Sequence, residues 1–385
     1  MKPDQHFPTI TFSILSLLIH LGCSTSQSAP NLLSSQLMVI DSFDVATNSI
    51  LIPVEYDSDN DRLLFFDIKN RSILVTDQSG KELYNWNKSG SGPDAHPADV
   101  RGLGFLGEDQ IAILSPYSYH IYDIEGNLKQ SAKFETFIPS NPDRGFRLRT
   151  YYATNGDAHL LINGSPVDPG LLTGDQWVQF QTDLNWISDF NLQDQTIITG
   201  APYQTDLYRK NVLTGRKSPE IAFDRTSNNV LVLFPQEPII YEFSLPDLQL
   251  SKSTKLSPDH FFEPVGIPRE QATDNVIFGK LTTLDWENCN YLNIAKFGDT
   301  ILTHYQTRVP PGTDIKGSSM EVLTEMRKHY VEAYKHGEKL GEWIVPDGIW
   351  YYFQIDSKKM LGAKMVSSTL STEPAFSRYV ILSLP

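Results

Sequence analysis

One short pattern recurs six times along the chain, and it constrains the fold more than any other feature. In each copy an apolar run leads into a polar turn and then into a second apolar run, which is typical of a β-hairpin. The six turns, each with the run that follows it, are Asn60–Phe66, Glu108–Leu114, Gly156–Ile162, Ser227–Phe234, Gly298–Tyr305 and Ser357–Val366. The runs that precede them are Ile50–Tyr56, Val100–Leu106, Phe146–Ala153, Glu220–Asp224, Tyr291–Phe297 and Ile349–Ile355. Third and fourth strands follow several hairpins, so the sequence predicts repeated units of four antiparallel strands.

Six such units predict an all-β fold, a six-bladed β-propeller of four-stranded antiparallel blades. The last unit ends with Arg378–Leu384 as its third strand, whereas Gln36–Ser42 is a spare strand at the other end of the propeller. An N-terminal strand that completes the last blade would remove an open sheet edge. A pair of β-sandwiches is the alternative, but it gives no reason for this unpaired strand.

Two parts of the chain are expected to depart from the regular repeat. In the third unit, Trp177–Phe180 and Leu184–Phe190 are the expected outer strands, and Gln195–Tyr208 is the expected connector. In the fifth unit, Ser318 and Glu321 fit a capping box that predicts one short inserted helix ending near Lys328. This helix either covers a blade or forms a lid over the central opening.

The N-terminus has the features of a targeting segment. Lys2 precedes an apolar run that ends in Leu21-Gly22-Cys23, and a small residue before a lone cysteine resembles the lipobox of bacterial lipoproteins. We therefore predict a signal peptide over residues 1–22, a lipidated Cys23 with a tether over 23–35, and the propeller over 36–385. Ordinary secretion and a retained membrane anchor are the alternatives.

Charge and cysteine content narrow the possible partners. The formal net charge of −14 argues against a nucleic-acid partner, which needs a basic surface. The chain has two cysteines, Cys23 and Cys289. If the thiol of Cys23 carries the lipid, Cys289 has the one remaining thiol, and the exported chain cannot form an internal disulfide. Its core must supply the stability, and Cys289 is expected to be a small and inert side chain.

Together with the signal segment, Cys23 and the repeats, a local motif supports a family resemblance. Gly90-Ser91-Gly92-Pro93 leads through Pro97 into the second unit. In these features the chain resembles the six-bladed propeller lipoproteins of Bacteroidota, which are similar in architecture to NHL and TolB propellers. Many of these proteins belong to uncharacterised families. The resemblance implies a propeller fold and an outer-membrane location on the periplasmic or cell-surface face, and it implies no reaction.

Two arginines and a glutamate share one position of the first strand in units two, three and four, and in a propeller this strand lines the central channel. Aligned on the hairpin turns, the six units place these residues in one ring: Pro53, Arg101, Arg149, Glu220, Tyr291 and Trp350. Arg147 lies one strand period before Arg149 and shares its face. Paired arginines suit the recognition of carboxylates or phosphates. An Arg–Glu network that braces neighbouring blades is the alternative, and a shift of one residue would turn these side chains to the other face.

The connector from Asp285 to Asn290 is a second candidate site. It offers two carboxylates, two amides and Trp286, and Ca²⁺ prefers oxygen ligands of these kinds. Trp286 and Asn290 also suit a sugar or peptide ligand. A purely hydrogen-bonded loop is the alternative. In the gluconolactonase and paraoxonase propellers, Glu, Asn and Asp hold the channel metal, and the arginines of the ring argue against that site here.

The sequence contains no catalytic motif such as Gly-x-Ser-x-Gly, a Walker loop or His-Glu-x-x-His. The sequence predicts no cofactor, and a Ca²⁺ ion at the Asp285–Asn290 connector is the alternative. We therefore expect an exported, lipid-anchored module, held at the membrane by its N-terminal lipid, that binds a small acidic ligand, a glycan, a peptide or a protein in a polar central funnel. The alternatives are a metal-dependent hydrolase or lactonase with its site at Asp285–Asn290, and a structural subunit of an outer-membrane complex.

Overall fold

The computed structural model describes residues 36–47, 49–134, 147–164, 184–212, 218–224, 227–271, 280, 283–364 and 376–385. Residues Gln36–Pro385 cluster into one compact unit. The strands described within it form six four-stranded antiparallel sheets and one small two-stranded pair. The predicted six-bladed β-propeller is therefore confirmed. Cys23 and the predicted tether lie outside the described residues.

Each of the first five sheets is a meander in which strands follow one another in chain order. The N-terminal strand is β1 (Met38–Ala46). Blade 1 contains β2 (Leu51–Asp57), β3 (Arg62–Asp67), β4 (Ser72–Asp77) and β5 (Glu82–Trp86). Blade 2 contains β6 (Gly102–Leu106), β7 (Gln110–Ser115), β8 (Ser118–Asp123) and β9 (Leu128–Lys133). Blade 3 contains β10 (Arg149–Tyr152), β11 (Ala158–Asn163), β12 (Ile187–Asn191) and β13 (Ile197–Gly200).

The remaining strands complete the ring of blades. Between blades 3 and 4, β14 (Asn211–Val212) pairs with the later β19 (Ile267–Pro268). Blade 4 contains β15 (Glu220–Asp224), β16 (Asn229–Leu233), β17 (Ile239–Ser244) and β18 (Gln249–Lys255). Blade 5 contains β20 (Asn290–Phe297), β21 (Thr300–Gln306), β22 (His329–Lys335) and β23 (Glu338–Ile344). Blade 6 contains β24 (Ile349–Gln354), β25 (Lys359–Lys364) and β26 (Phe376–Ser383).

The N-terminal strand closes the last blade, as predicted. β1 pairs antiparallel with β26 and completes the order β1-β26-β25-β24. Arg378 on β26 donates two hydrogen bonds of 2.8 Å to the carboxylate of Asp44 on β1. Val45 and Tyr379 are almost fully buried beneath this pair. The two ends of the propeller are thus joined in one sheet, and the edge that β26 would otherwise expose is covered.

The core lies between neighbouring blades. Leu64 and Phe66 of blade 1 pack with Ile111 and Ile113 of blade 2, and similar clusters join the other sheets. Because the inner strands are covered on both faces, their sequences are continuous apolar runs rather than alternating ones. The fourth strands, such as β18, are mostly exposed and polar.

Two short α-helices have both ends within the described residues, and residues 283–287 are helical as well. The first, α1 (Asp206–Lys210), follows blade 3, and the second, α2 (Met320–Met326), lies between β21 and β22. The predicted inserted helix is thus confirmed, but the predicted capping box is wrong. Ser319 is the N-cap and accepts a hydrogen bond from the Val322 amide. Among the described residues, no helix is long and apolar enough to span a membrane.

The third blade differs from the prediction in its outer strands. Its third strand is Ile187–Asn191, and its fourth is Ile197–Gly200, which lies within the predicted connector. Asn191 and Asp194 accept hydrogen bonds from nearby backbone amides and form a tight turn. That turn shortens the third strand and starts a fourth. Trp177–Phe180, the other predicted outer strand, lies outside the described residues.

Candidate functional site

A cavity of about 430 Å³ lies at the centre of the propeller. Its wall comes from β2, β10, β11, β15, β20, β21, β22 and β24 and from the segment that leads into β10. Four predicted site residues lie in this wall: Arg147, Arg149, Glu220 and Trp350. Pro53 of the predicted ring lies there as well. Four of the inner strands, β2, β10, β15 and β24, therefore present the same aligned position to the cavity, and Arg147 joins them from the segment that leads into β10.

Arg147 is the most unusual side chain of this wall. Its Nε and Nη1 atoms are buried and have no hydrogen-bond partner among the described residues. Its Cζ atom lies 5.1 Å from the centroid of the Phe353 ring. Burial lowers the pKa of the Arg147 guanidinium, and the charges of Glu55 and Glu220 act in the opposite direction. Since arginine stays protonated in proteins, the cavity contains a cation with unused donors.

Arg149 has a different role. Its Nη1 atom lies 3.8 Å from Oε1 of Glu55 on blade 1, and its Nη2 donates to the carbonyl of Ile221 on blade 4 over 3.4 Å. Glu55 in turn accepts a 2.9 Å hydrogen bond from the Phe105 amide of blade 2. Arg149 therefore braces neighbouring blades, which was the alternative interpretation of the arginine ring.

Three further polar groups of the wall are buried without a partner in the described part of the chain. They are Oη of Tyr351, Nε2 of Gln306 and Oδ1 of Asn163. Tyr351 is 5% exposed and Gln306 7% exposed. Burial raises the pKa of Tyr351 well above its usual value, so its hydroxyl is a proton donor. With Arg147, the cavity thus offers donors from three residues and one amide acceptor.

A histidine pair forms another part of the wall. Nε2 of His304 lies 3.0 Å from Nδ1 of His329, and the His304 ring lies 4.1 Å from the ring of Tyr351. Burial lowers the pKa of His304 well below its usual value and lowers the pKa of His329 to about 4. Both rings are therefore neutral near pH 7. The charged groups of the wall are the two arginines and Glu220.

Arg101 does not line the cavity, contrary to the prediction. It precedes β6, and its Nη2 donates to Asp99 over 2.8 Å. The chain that leads into β10 lies against β6, because the Leu148 amide donates to the Leu103 carbonyl over 2.9 Å. A Cβ atom on Gly104 would lie 2.2 Å from the Leu148 carbonyl oxygen, so only glycine allows this approach. Arg147 therefore takes the place in the wall that blade 2 was expected to fill.

Tyr291 also lies outside the cavity. A bulge between Tyr291 and Asn293 shifts the register of β20 against β21. Tyr291 is consequently fully buried between aromatic rings, with Phe261 stacked 4.9 Å away. Leu292 and Asn293 face the cavity in its place. The gapless alignment of the six units missed this shift of one residue.

The Asp285–Asn290 connector lies apart from the cavity. The guanidinium of Arg327 lies 4.6 Å from the Trp286 ring centroid, and its Nη1 is 3.7 Å from Oδ2 of Asp285. Arg327 also donates to the Asn288 carbonyl, and the Asn290 side chain donates to the Asp285 carbonyl over 3.2 Å. A hydrogen-bonded loop was one of the alternatives; the connector is hydrogen-bonded, but residues 283–287 are helical rather than a loop. Arg327 occupies the position where a cation would be needed.

The ligating side chains and the thiol bear on the metal and nucleophile alternatives. Residues within the described ranges form no group of three His, Cys, Asp or Glu side chains that could hold a metal ion. Cys289 is buried, and burial raises the pKa of its thiol. A raised pKa disfavours the nucleophilic thiolate.

Sequence reasoning missed Asn163, Gln306 and the histidine pair. Asn163 and Gln306 are the last residues of β11 and β21, and these strands carry further buried polar side chains, His159 in β11 and Thr303 and His304 in β21. Because the end of each second strand lies beside the start of an inner strand, Asn163 and Gln306 lie in the cavity wall. A polar residue at the end of a second strand was the available signal.

No protein-family model matches this sequence, and a comparison with curated proteins finds no match. Solved structures are similar in fold. A member of the DUF4221 family from Bacteroides vulgatus has a TM-score of 0.63 at 10% identity, over 90% of this chain and 98% of that one. A protein from Bacteroides fragilis that is described as exported has a TM-score of 0.55 at 11% identity, over 92% of this chain and 96% of that one. At such identities the similarity shows the shared propeller fold.

Proposed function

We propose that this propeller is an exported, lipid-anchored binding protein whose central cavity holds a small carboxylate ligand. The observation that carries the proposal is the guanidinium of Arg147, whose Nε and Nη1 atoms are buried at the cavity wall without a partner in the described residues. Tyr351 and Gln306 add two more unused donors. A carboxylate accepts hydrogen bonds and has no donor, so it matches this set.

The energetics favour an anion over an empty or apolar occupant. Each buried donor without a partner costs roughly 1–3 kcal/mol, and a bound carboxylate would recover that cost. The cavity volume of about 430 Å³ falls within the range of small-molecule sites. Glu220 in the wall and Glu55 beside Arg149 offset much of the charge of the two arginines. A single carboxylate therefore fits the local charge better than a polyphosphate does.

Calorimetric titration with hexanoate tests this proposal. Hexanoate should bind the purified chain, and Arg147→Met should lower its affinity at least tenfold. Arg101→Met is the matched control, because Arg101 lies outside the cavity wall, and it should bind hexanoate as the unsubstituted protein does. Equal affinity for hexanoate in the Arg147 and Arg101 variants would contradict the proposal, as would no binding at all.

The membrane anchor rests on the N-terminal sequence. Leu21-Gly22-Cys23 after a short apolar run supports lipidation of Cys23, and the B. fragilis protein of similar fold is described as exported. The anchor places the propeller at the outer membrane, on its periplasmic or cell-surface side. Radiolabelled palmitate should label the protein in cells, and Cys23→Ala should abolish the label. Labelling that persists in this variant would contradict the anchor.

A further inference from the structure

A second cavity of about 590 Å³ adjoins the first. It lies between α2 and residues 345–350, which lead into β24. His329 and Trp350 line both cavities, so the two spaces lie side by side at these residues. Glu321, Glu325 and Asp347 of the second cavity are exposed, whereas Gln306 and Tyr351 of the first are 7% and 5% exposed. The second cavity is therefore the outer one.

The outer cavity has the opposite charge pattern. Glu321 and Glu325, one helical turn apart on α2, lie in its wall together with Asp347. Arg327 contacts the Asp285 connector, and Lys328 forms an ion pair of 2.8 Å with Asp347, so the acidic surface of this cavity consists of Glu321 and Glu325. The indole of Trp350 supplies an aromatic surface. Carboxylates beside an aromatic ring favour an ammonium group.

The inner and outer cavities thus select different ends of one molecule. Inside, two nine-tenths buried side chains, Tyr351 and Gln306, present unpartnered donors next to Arg147. Outside, Glu321 and Glu325 line the same cavity as the exposed ring of Trp350. We propose that the ligand is a linear zwitterion, with its carboxylate in the inner cavity and an ammonium group in the outer one, as in an amino acid or a short peptide. This inference rests on the proposed carboxylate site.

Three six-carbon probes of similar length distinguish binding of the carboxylate from binding of the ammonium group. They are 6-aminohexanoate, hexanoate and hexylamine. We expect 6-aminohexanoate to bind at least fivefold more tightly than hexanoate, and hexylamine to bind most weakly. The double substitution Glu321→Gln with Glu325→Gln should remove the advantage of 6-aminohexanoate and leave hexanoate affinity unchanged. Glu338→Gln on β23 lies outside both cavities and serves as the control.

The outcomes distinguish this inference from the proposed function. If hexanoate binds in an Arg147-dependent way but 6-aminohexanoate binds no more tightly, the zwitterion is wrong and the carboxylate site stands. An advantage of 6-aminohexanoate that survives the double substitution also overturns the assignment of the outer cavity. If none of the three probes binds, the proposed function fails and this inference fails with it.

Discussion

The guanidinium carbon of Arg147 lies 5.1 Å from the centroid of the Phe353 ring, across the gap between blades 3 and 6. An aromatic ring attracts a guanidinium without accepting its hydrogen bonds at the strength of a carboxylate. Glu55 and Glu220 compensate the charge of Arg147 through space. Phe353 therefore holds the cation in place while its donors stay available to a ligand.

The first prediction concerns stability without ligand. Arg147→Met should leave the free energy of unfolding unchanged or raise it by about 1–2 kcal/mol, because the substitution removes buried donors that lack partners. Urea denaturation of the ligand-free protein measures this change. Arg149→Met is the comparison and should destabilise, since Arg149 contacts Glu55 and the Ile221 carbonyl. If Arg147→Met lowered the free energy of unfolding by more than about 2 kcal/mol, Arg147 would stabilise the fold as Arg149 does, and the prediction would be wrong.

The second prediction concerns Glu332, a fully buried carboxyl group between blades 4 and 5. Burial and the neighbouring Glu342 raise the pKa of Glu332 to about 7, although hydrogen bonds from Tyr334 and Thr303 oppose the shift. The folded state then binds more protons than the unfolded state between about pH 4.5 and 7, so stability falls as pH rises through that range. Glu332→Gln should be more stable than the unsubstituted protein at pH 8 by up to about 3 kcal/mol. At pH 4.5 the Glu332→Gln variant should be no more stable than the unsubstituted protein. An equal gain in stability at both pH values would contradict the raised pKa of Glu332.

A third prediction has the opposite sign and concerns His120. Burial, with a smaller effect from His96, lowers the pKa of His120 to about 4. The unfolded chain then binds more protons than the folded one between about pH 6.5 and 4, so stability falls as the solution is acidified. His120→Gln should reduce the loss between pH 7 and pH 5 by about 2 kcal/mol. Denaturation curves at the two pH values test this, and an unchanged loss would mean that His120 does not titrate there.

The fourth prediction concerns the closure of the ring. The Tyr379 ring is buried between β1 and blade 1, and its hydroxyl donates to the Leu51 carbonyl over 3.0 Å. Tyr379→Ala should cost about 3–5 kcal/mol, as for other buried aromatic residues. Arg378→Ala removes an exposed ion pair with Asp44, and because exposed ion pairs contribute little, it should leave the denaturation midpoint within error. Equal losses for the two variants would contradict the view that burial, rather than the ion pair, closes the ring.

Much of the fold could be predicted because its turns are local. Gly156 and Gly298 adopt φ values of 89° and 56° in two hairpin turns, and glycine tolerates such angles where other residues are strained. The unpaired Gln36–Ser42 strand predicted the closure of blade 6 because an open edge needs a partner. Ser319 rather than Ser318 caps α2, since both serines can act as caps and the preceding turn decides between them.

The site was harder to predict because it depends on contacts between distant segments. The bulge at Tyr291 is set by the pairing of β20 with β21, and a gapless repeat alignment cannot detect it. The approach of Leu148 to Gly104 moves Arg147 into the wall and leaves Arg101 outside it. Glycines at alternate positions of an inner strand mark such an approach, so Gly102 and Gly104 were a usable signal.

The most direct test of the central claim is a crystal of the protein soaked in 6-bromohexanoate. We expect carboxylate density within hydrogen-bond distance of Arg147, Tyr351 and Gln306. The anomalous signal of the bromine should lie on the side of the cavity nearest Trp350. An empty central cavity at full soaking concentration would contradict it, as would a carboxylate bound only elsewhere on the propeller.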